Sequence, residues 1–262
     1  MSTLTLAVRD SSTMLRRNLL HMRRYPSLTL MLIGIPVILL LVFVYVFGGT
    51  LGAGLGPSGG RAEYANYVTP GILLISVASA AQGTAIGVAM DMTEGIIARF
   101  RTMAIFRPSV LTGHVLGSVI QTMLALVAVV GAALLVGFRP DATPLEWLAV
   151  AGVLIMITVA VTWLSVALGL VSESVETASN LPMPLVLLPF LGSGFVPTDS
   201  MPTAVRWFAD YQPFTPVMET LRGLLFGTEI GANAILAVAW CAVITVLCFL
   251  WAKTLYNRSR AA

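Results

Sequence analysis

Charge is what this chain has least of. Of its 262 residues, 10% are charged and 57% hydrophobic, with a mean hydropathy of +0.90. A soluble domain carries about a quarter charged residues, so polar groups could not cover this surface, and lipid must solvate most of it. Lysine occurs once, as Lys253 in "LWAKTL". No glycine stands where the phosphate-binding G-x-x-x-x-G-K-[ST] pattern needs one, which excludes ATP hydrolysis by that route. His21 and His114 are the only histidines and belong to no H-E-x-x-H or Cys/His cluster, so no metal site is expected. A lone histidine near a membrane boundary reads as an interfacial side chain. Without a G-x-S-x-G elbow or any other nucleophile–base set, an intramembrane enzyme is the function least supported by the sequence. Cys241 and Cys248 are seven apart, about 10 Å along a helix and too far for a disulfide; they read as small apolar residues facing one way. The apolar runs hold almost no ionisable groups, Gln82 and Gln121 being the most polar side chains well inside. That argues against an ion-coupled carrier or proton relay, although a sodium site built of backbone carbonyls stays open. The basic residues form no aromatic-laced stripe, so nucleic acid is not an expected partner.

What is present is a series of apolar runs. A membrane-crossing helix needs about 20 mainly apolar residues, and six segments qualify: Leu28–Phe47, Val68–Met90, Leu111–Val136, Trp147–Val171, Leu181–Val196 and Asn233–Ala252. The fifth contains Pro182, Pro184 and Pro189 with Gly192 and Gly194. Proline removes a backbone donor, so this segment is expected to be kinked or partly unwound. In lipid that is tolerable only where neighbours satisfy the freed groups. Eleven of the 15 basic residues fall before the first run, between the second and third, or after the sixth. By the positive-inside rule both termini are expected in the cytoplasm. No cleavable signal peptide is expected. "DSSTMLRRNLLHMRRYP" reads as a separate helix capped by Ser11 or Ser12. Leu15, Leu19 and Met22 share one face, with Arg16, Arg17, Arg23 and Arg24 over the other side, which suits an interfacial helix or a merely basic topogenic tail. "GGTLGAGLGPSGG" follows no strand and is expected to be a flexible loop.

Two stretches stand apart. "EGIIARFRTMAIFRPSVLTGHVLG" carries Ile96, Phe100 and Met103 at helical spacing, with Ile97 and Ala104 beside them. Arg99 and Arg101 lie on other faces and Pro108 follows Arg107 as a stop. Alone, it could equally be an amphipathic helix resting on the bilayer. The second is "PLVLLPFLGSGFVPTDSMPTAVRWFADYQPFTPVMETLRGLLFG". There the broken fifth run leads into a turn from Pro197 to Pro202, an aromatic turn over Val205–Tyr211 and a corner from Pro213 to Pro216. A helix over Val217–Phe226 carries Glu219 and Arg222. Proline-bounded half-helices between two apolar runs suggest re-entrant segments.

Together these stretches resemble type 2 ABC exporter permeases, particularly those of the daunorubicin-resistance type. The first matches the family's cytoplasmic loop through Glu94-Gly95, Arg99-Phe100-Arg101 and Gly113. It departs from it in Ile96, where threonine is usual, and in Ile105-Phe106, where a proline is usual before the arginine. The second stretch is the more specific, and the resemblance covers most of the chain.

The resemblance implies an all-α membrane protein forming one domain over residues 1–262. It would have six transmembrane helices, an N-terminal interfacial helix (1–26), a coupling-helix loop (91–110) and outer re-entrant half-helices (197–228). Function would be that of the permease of an ATP-driven exporter of a hydrophobic drug, antibiotic or lipid-like compound in the plasma membrane. The implied partners are two copies of an ATP-binding subunit, which binds the ATP and Mg, and a second permease as homodimer or close paralogue. No cofactor is expected in this chain. Glu94, Arg99 and Arg101 would orient the coupling helix through charged contacts, Ile96, Phe100 and Met103 would pack into a groove of the motor subunit, and Gly95 and Arg107 would belong to the same interface. Pro197, Pro202, Pro213 and Pro216 would shape the re-entrant region. Glu219 and Arg222 would form either an ordinary i, i+3 ion pair or a lid element. Export of a lipid-linked saccharide, or a non-transporting assembly or immunity role, are the alternatives.

Overall fold

The computed structural model describes residues 12–13, 15–17, 20, 26–55, 60–95 and 108–258. Among these every regular element is helical. The first rod consists of α1 (Pro26–Leu41), a π-helical stretch Val42–Phe47 and α2 (Gly48–Ala53). Then come α3 (Arg61–Thr93), α4 (Pro108–Val136) and α5 (Pro144–Val171). A broken segment follows, of α6 (Val175–Asn180), α7 (Met183–Leu187) and a 3-10 turn Leu188–Leu191. The chain closes with α8 (Thr203–Tyr211), α9 (Phe214–Phe226) and α10 (Asn233–Arg258).

Five of these helices are long and apolar enough to cross a membrane: Thr29–Ala53, Arg61–Thr93, Leu111–Val136, Pro144–Val171 and Asn233–Tyr256. The fifth apolar run, expected over Leu181–Val196, is instead represented by a shorter helical stretch, Val175–Leu191, broken at its prolines, and residues 192–196 are not helical.

α3 is the centre of the bundle. Its 33 residues make a rod about 50 Å long, longer than the apolar run Val68–Met90 because the more polar turns at both ends stay helical. Buried side chains from Tyr64 to Asp91 run along nearly its whole length. It lies antiparallel to α4: Asp91 at its end meets His114 near the start of α4, and Asn66 near its start accepts from the Arg139 backbone N–H just past the end of α4.

α5 approaches α3 closely enough that a Cβ on Gly169 would stand 2.6 Å from the Ala85 carbonyl oxygen. Glycine at 169 is therefore what permits the contact. The start of α5 is fixed by a reciprocal cap. The Thr143 hydroxyl accepts from the Glu146 N–H at 3.4 Å, and the Glu146 carboxylate accepts from the Thr143 N–H at 2.6 Å.

Two apolar clusters fill the bundle. The larger contains Tyr64, Ile72, Phe138, Ile157, Phe195, Phe214 and Met218. The smaller, near Asp91, joins Val88, Leu111, Trp163, Val166, Cys248 and Tyr256. Cys241 lies in the larger cluster and Cys248 in the smaller, both buried and unbridged. The two glutamines of the apolar runs tie helices together: Gln82 donates to the Ser179 carbonyl at 2.6 Å and Gln121 to the Thr29 hydroxyl at 3.3 Å.

Candidate functional site

The two ends of α3 carry different polar constructions. At its end, Glu94 continues the last turn and Gly95 takes a left-handed conformation (φ 69°), its N–H donating to the Met92 carbonyl at 3.2 Å. Glycine is favoured there because a side chain is strained at positive φ. Ile96, Arg99, Phe100, Arg101, Met103 and Arg107 lie outside the described residues, as do Leu19, Met22, Arg23 and Arg24 of the N-terminal stretch. Gly113 is buried in the first turns of α4.

One turn before Gly95 the structure adds a residue that sequence reasoning passed over. Asp91 is 6% exposed. One terminal nitrogen of Arg17 donates to both its carboxylate oxygens at 2.6 Å, and His114 Nε2 lies 2.9 Å from Oδ2. Segments 74 and 23 residues away thus converge on one carboxylate. His114, expected as a solitary interfacial histidine, is part of this network, and Arg17 is drawn from the basic face of the N-terminal stretch. A signal was available: Asp91 follows Thr84 and Val88 by seven and three residues, the phase of the buried face of α3.

At the opposite end, the broken segment turns through Gly192, Ser193 and Gly194, leaving carbonyls without helical partners. Neighbours take them up. Tyr67 donates to the Ser193 carbonyl at 2.9 Å, Tyr64 to that of Phe195 at 3.4 Å, and Gln212 to that of Leu188 at 2.9 Å. Arg222 is the hub. It donates to Glu219 at 2.5 Å, to the Ser193 carbonyl at 3.0 Å and to the Tyr67 carbonyl at 3.4 Å, with its guanidinium 4.3 Å from the centre of the Tyr67 ring.

The Glu219–Arg222 pair therefore exceeds a local i, i+3 bridge: through Arg222 it fastens α9 to α3 and to the broken segment. The backbones come close here as well, a Cβ on Gly71 falling 3.0 Å from the Gly194 carbonyl oxygen. Phe190 stacks on Phe195 at 4.5 Å, and Phe43 packs against Phe195 at 4.6 Å.

The prolines punctuate this region in a different register from the one expected. Pro197 precedes a 3-10 turn, Thr198–Ser200, and Pro202 precedes α8. α9 begins at Phe214 rather than Val217, so the Pro213-to-Pro216 corner is already helix: Pro213 is its N-cap and Pro216 lies in the first turn. Proline is tolerated there because first-turn N–H groups have no intrahelical acceptor. α8 exposes Trp207, Phe208 and Tyr211, which line an open apolar groove of about 300 Å³ with Leu188 and Trp240.

Among the described residues no group of three His, Cys, Asp or Glu side chains could hold a metal ion. The geometry offers mechanical ties, with the Asp91 oxygens occupied by a guanidinium and an imidazole.

Residues 10–226 match the ABC-2 type transporter family. The chain is 31% identical to a daunorubicin resistance ABC transporter permease protein of Streptomyces coeruleorubidus over 224 residues, 85% of this chain and 77% of that one. It is 27% identical over 184 residues to a protein of Mycobacterium tuberculosis named "probable doxorubicin resistance ABC transporter permease protein", covering 67% of this chain and 64% of that one.

Proposed function

Because the chain belongs to the ABC-2 type transporter family, we propose that it is the membrane subunit of an ATP-driven exporter for hydrophobic small molecules, drugs among them. The observation that carries this reading is the similarity, over most of both chains, to a permease named for daunorubicin resistance. The family implies an ATP-binding partner, and the absence of a P-loop lysine in the sequence is consistent with ATP chemistry residing there. In this reading the partner is present in two copies and holds ATP and Mg, and a second permease completes the pathway.

Several finer features belong to the same proposal. The chain crosses the bilayer six times, the broken segment Val175–Leu191 serving as the fifth crossing. Residues 197–228 dip back into the outer leaflet, and both termini lie in the cytoplasm, supported by the bias of arginine towards one side. The connection between α3 and α4 acts as the coupling helix. Arg99 and Arg101 orient it, and Ile96, Phe100 and Met103 seat it on the motor. Closure of the motor around ATP pushes this connection, and a shift between inward-open and outward-open states follows only from a difference in the motor's affinity for the two.

The test is co-expression with a candidate ATP-binding subunit, measuring daunorubicin efflux and co-purification. Arg99→Glu with Phe100→Asp is expected to abolish both. Retention of both would show that the coupling assignment is wrong.

A further inference from the structure

The triad at the Asp91 end is not needed to explain why the chain sits in a membrane or binds a motor. Its position is informative. Asp91 is in the last turn of α3 and His114 in the second turn of α4, so the two residues stand at the roots of the connection that leaves one helix and enters the other. A connection of 14 residues attached to two separate helices would let each root move alone. Here the roots are bonded to each other across a largely buried carboxylate, with Asp91 and His114 side chains 8% and 12% exposed. Arg17 adds a third arm, since its nitrogen spans both carboxylate oxygens and brings the N-terminal stretch to the same point. Charge-assisted hydrogen bonds of this kind are short and directional.

Directly beneath lies the smaller apolar cluster, in which Val88 of α3, Leu111 and Val115 of α4, Val166 of α5 and Ala252 of α10 pack together. Above it α3 continues as a single helix to the Arg222 end. A displacement applied at the clasp therefore enters a packed joint and a rigid rod.

We propose that Asp91 is the positioning residue of the coupling step. With Arg17 and His114 it locks both roots of the α3–α4 connection and the N-terminal stretch around Arg17 into one body, so that a push on the connection moves α3 and α4 together. The proposal rests on the permease reading above and adds to it the residue through which force is shared. Asp91 touches neither nucleotide nor cargo. Without it the roots separate under load, and ATP turnover continues with less cargo moved.

The experiment uses the full-length permease with its ATP-binding subunit in proteoliposomes, with daunorubicin as the transported probe. Asp91→Asn is expected to assemble and to hydrolyse ATP, while daunorubicin moved per ATP falls about fivefold or more, the lower end of ordinary coupling between sites. Arg17→Gln, the milder change because His114 still bonds the carboxylate, is expected to lower the ratio less. The double variant should be no worse than Asp91→Asn alone, as residues acting through one bond are non-additive. An unchanged ratio in both single variants, or one that falls only in step with assembly, would overturn the proposal.

A second measurement is independent of cargo. Spin labels at Leu20→Cys and Leu116→Cys, with Cys241 and Cys248 replaced by alanine, report the distance from the N-terminal stretch to α4. That distance should stay fixed between nucleotide-free and vanadate-trapped complexes, and become broad in Asp91→Asn. A distance that changes on trapping in the otherwise native chain, or stays sharp in Asp91→Asn, contradicts the clasp. Failure of the wild-type complex to move daunorubicin with ATP would count against the drug-export reading, leaving the distances to judge the clasp separately.

Discussion

The two ends of α3 solve opposite problems. At the Arg222 end the chain is broken by its own prolines and glycines, and one cation, two tyrosines and Gln212 satisfy the loose carbonyls. At the Asp91 end α3 and α4 are intact, and the Asp91 carboxylate bonds to the side chains of Arg17 and His114. The first construction holds a backbone in a shape it would not otherwise keep, so its loss should cost stability. The second joins elements that are already folded, so its loss should cost communication. Polar groups at the two ends of one rod are therefore not interchangeable.

The largest expected effect is at the joint between α3 and α5. Gly169→Val would press a branched side chain against the Ala85 carbonyl and should destabilise the protein by about 3 kcal/mol, read as a lowered Tm of the purified permease in detergent. A stable variant would mean that α5 can move off α3, and α3 would no longer be a fixed rod linking the two ends.

Next is Arg222→Gln, which leaves Glu219 and two carbonyls without their cation. It should cost about 3 kcal/mol or somewhat less, given partial exposure, with Arg222→Lys recovering the charge and not the forked geometry. Asp91→Asn should cost only about 1 kcal/mol in the same unfolding measurement, because it weakens the charge-assisted clasp while the helices that the clasp joins stay packed. If Asp91→Asn proved the more damaging to stability, the contrast between the ends would be broken. Gly71→Ala is the finer probe, the added carbon meeting the Gly194 carbonyl at 3.0 Å; it should lower stability by about 1 kcal/mol. The smallest effect is Thr143→Ala, which removes the cap of α5 and should cost about 1 kcal/mol or less.

Much of this architecture was legible in the sequence because the bilayer imposes length and polarity on any helix that crosses it. The runs Leu111–Val136 and Trp147–Val171 agree with α4 and α5 to within three residues at either end. The break at Pro182, Pro184, Pro189 and Gly192 was readable from backbone chemistry alone, as was the need for neighbours to serve it. Which neighbours do so was not, since Tyr67 and Ser193 are 126 residues apart and meet only in the folded bundle. α9 begins earlier than expected because prolines that stop a helix in its interior are compatible with its first turn. Asp91 was grouped with the polar loop that follows it, although its helical phase continues the buried face of α3. A carboxylate at the edge of an apolar run is ambiguous until its partners are known, and Arg17 and His114 become partners only through tertiary structure.

The central claim is that an external motor acts on the connection between α3 and α4 from the cytoplasm. A cysteine placed at Arg101, with Cys241 and Cys248 replaced by alanine, tests this most directly with a membrane-impermeant maleimide. The account predicts labelling in inside-out vesicles and none in intact cells. Labelling of that cysteine in intact, sealed cells would place the connection on the wrong side of the membrane and contradict the account.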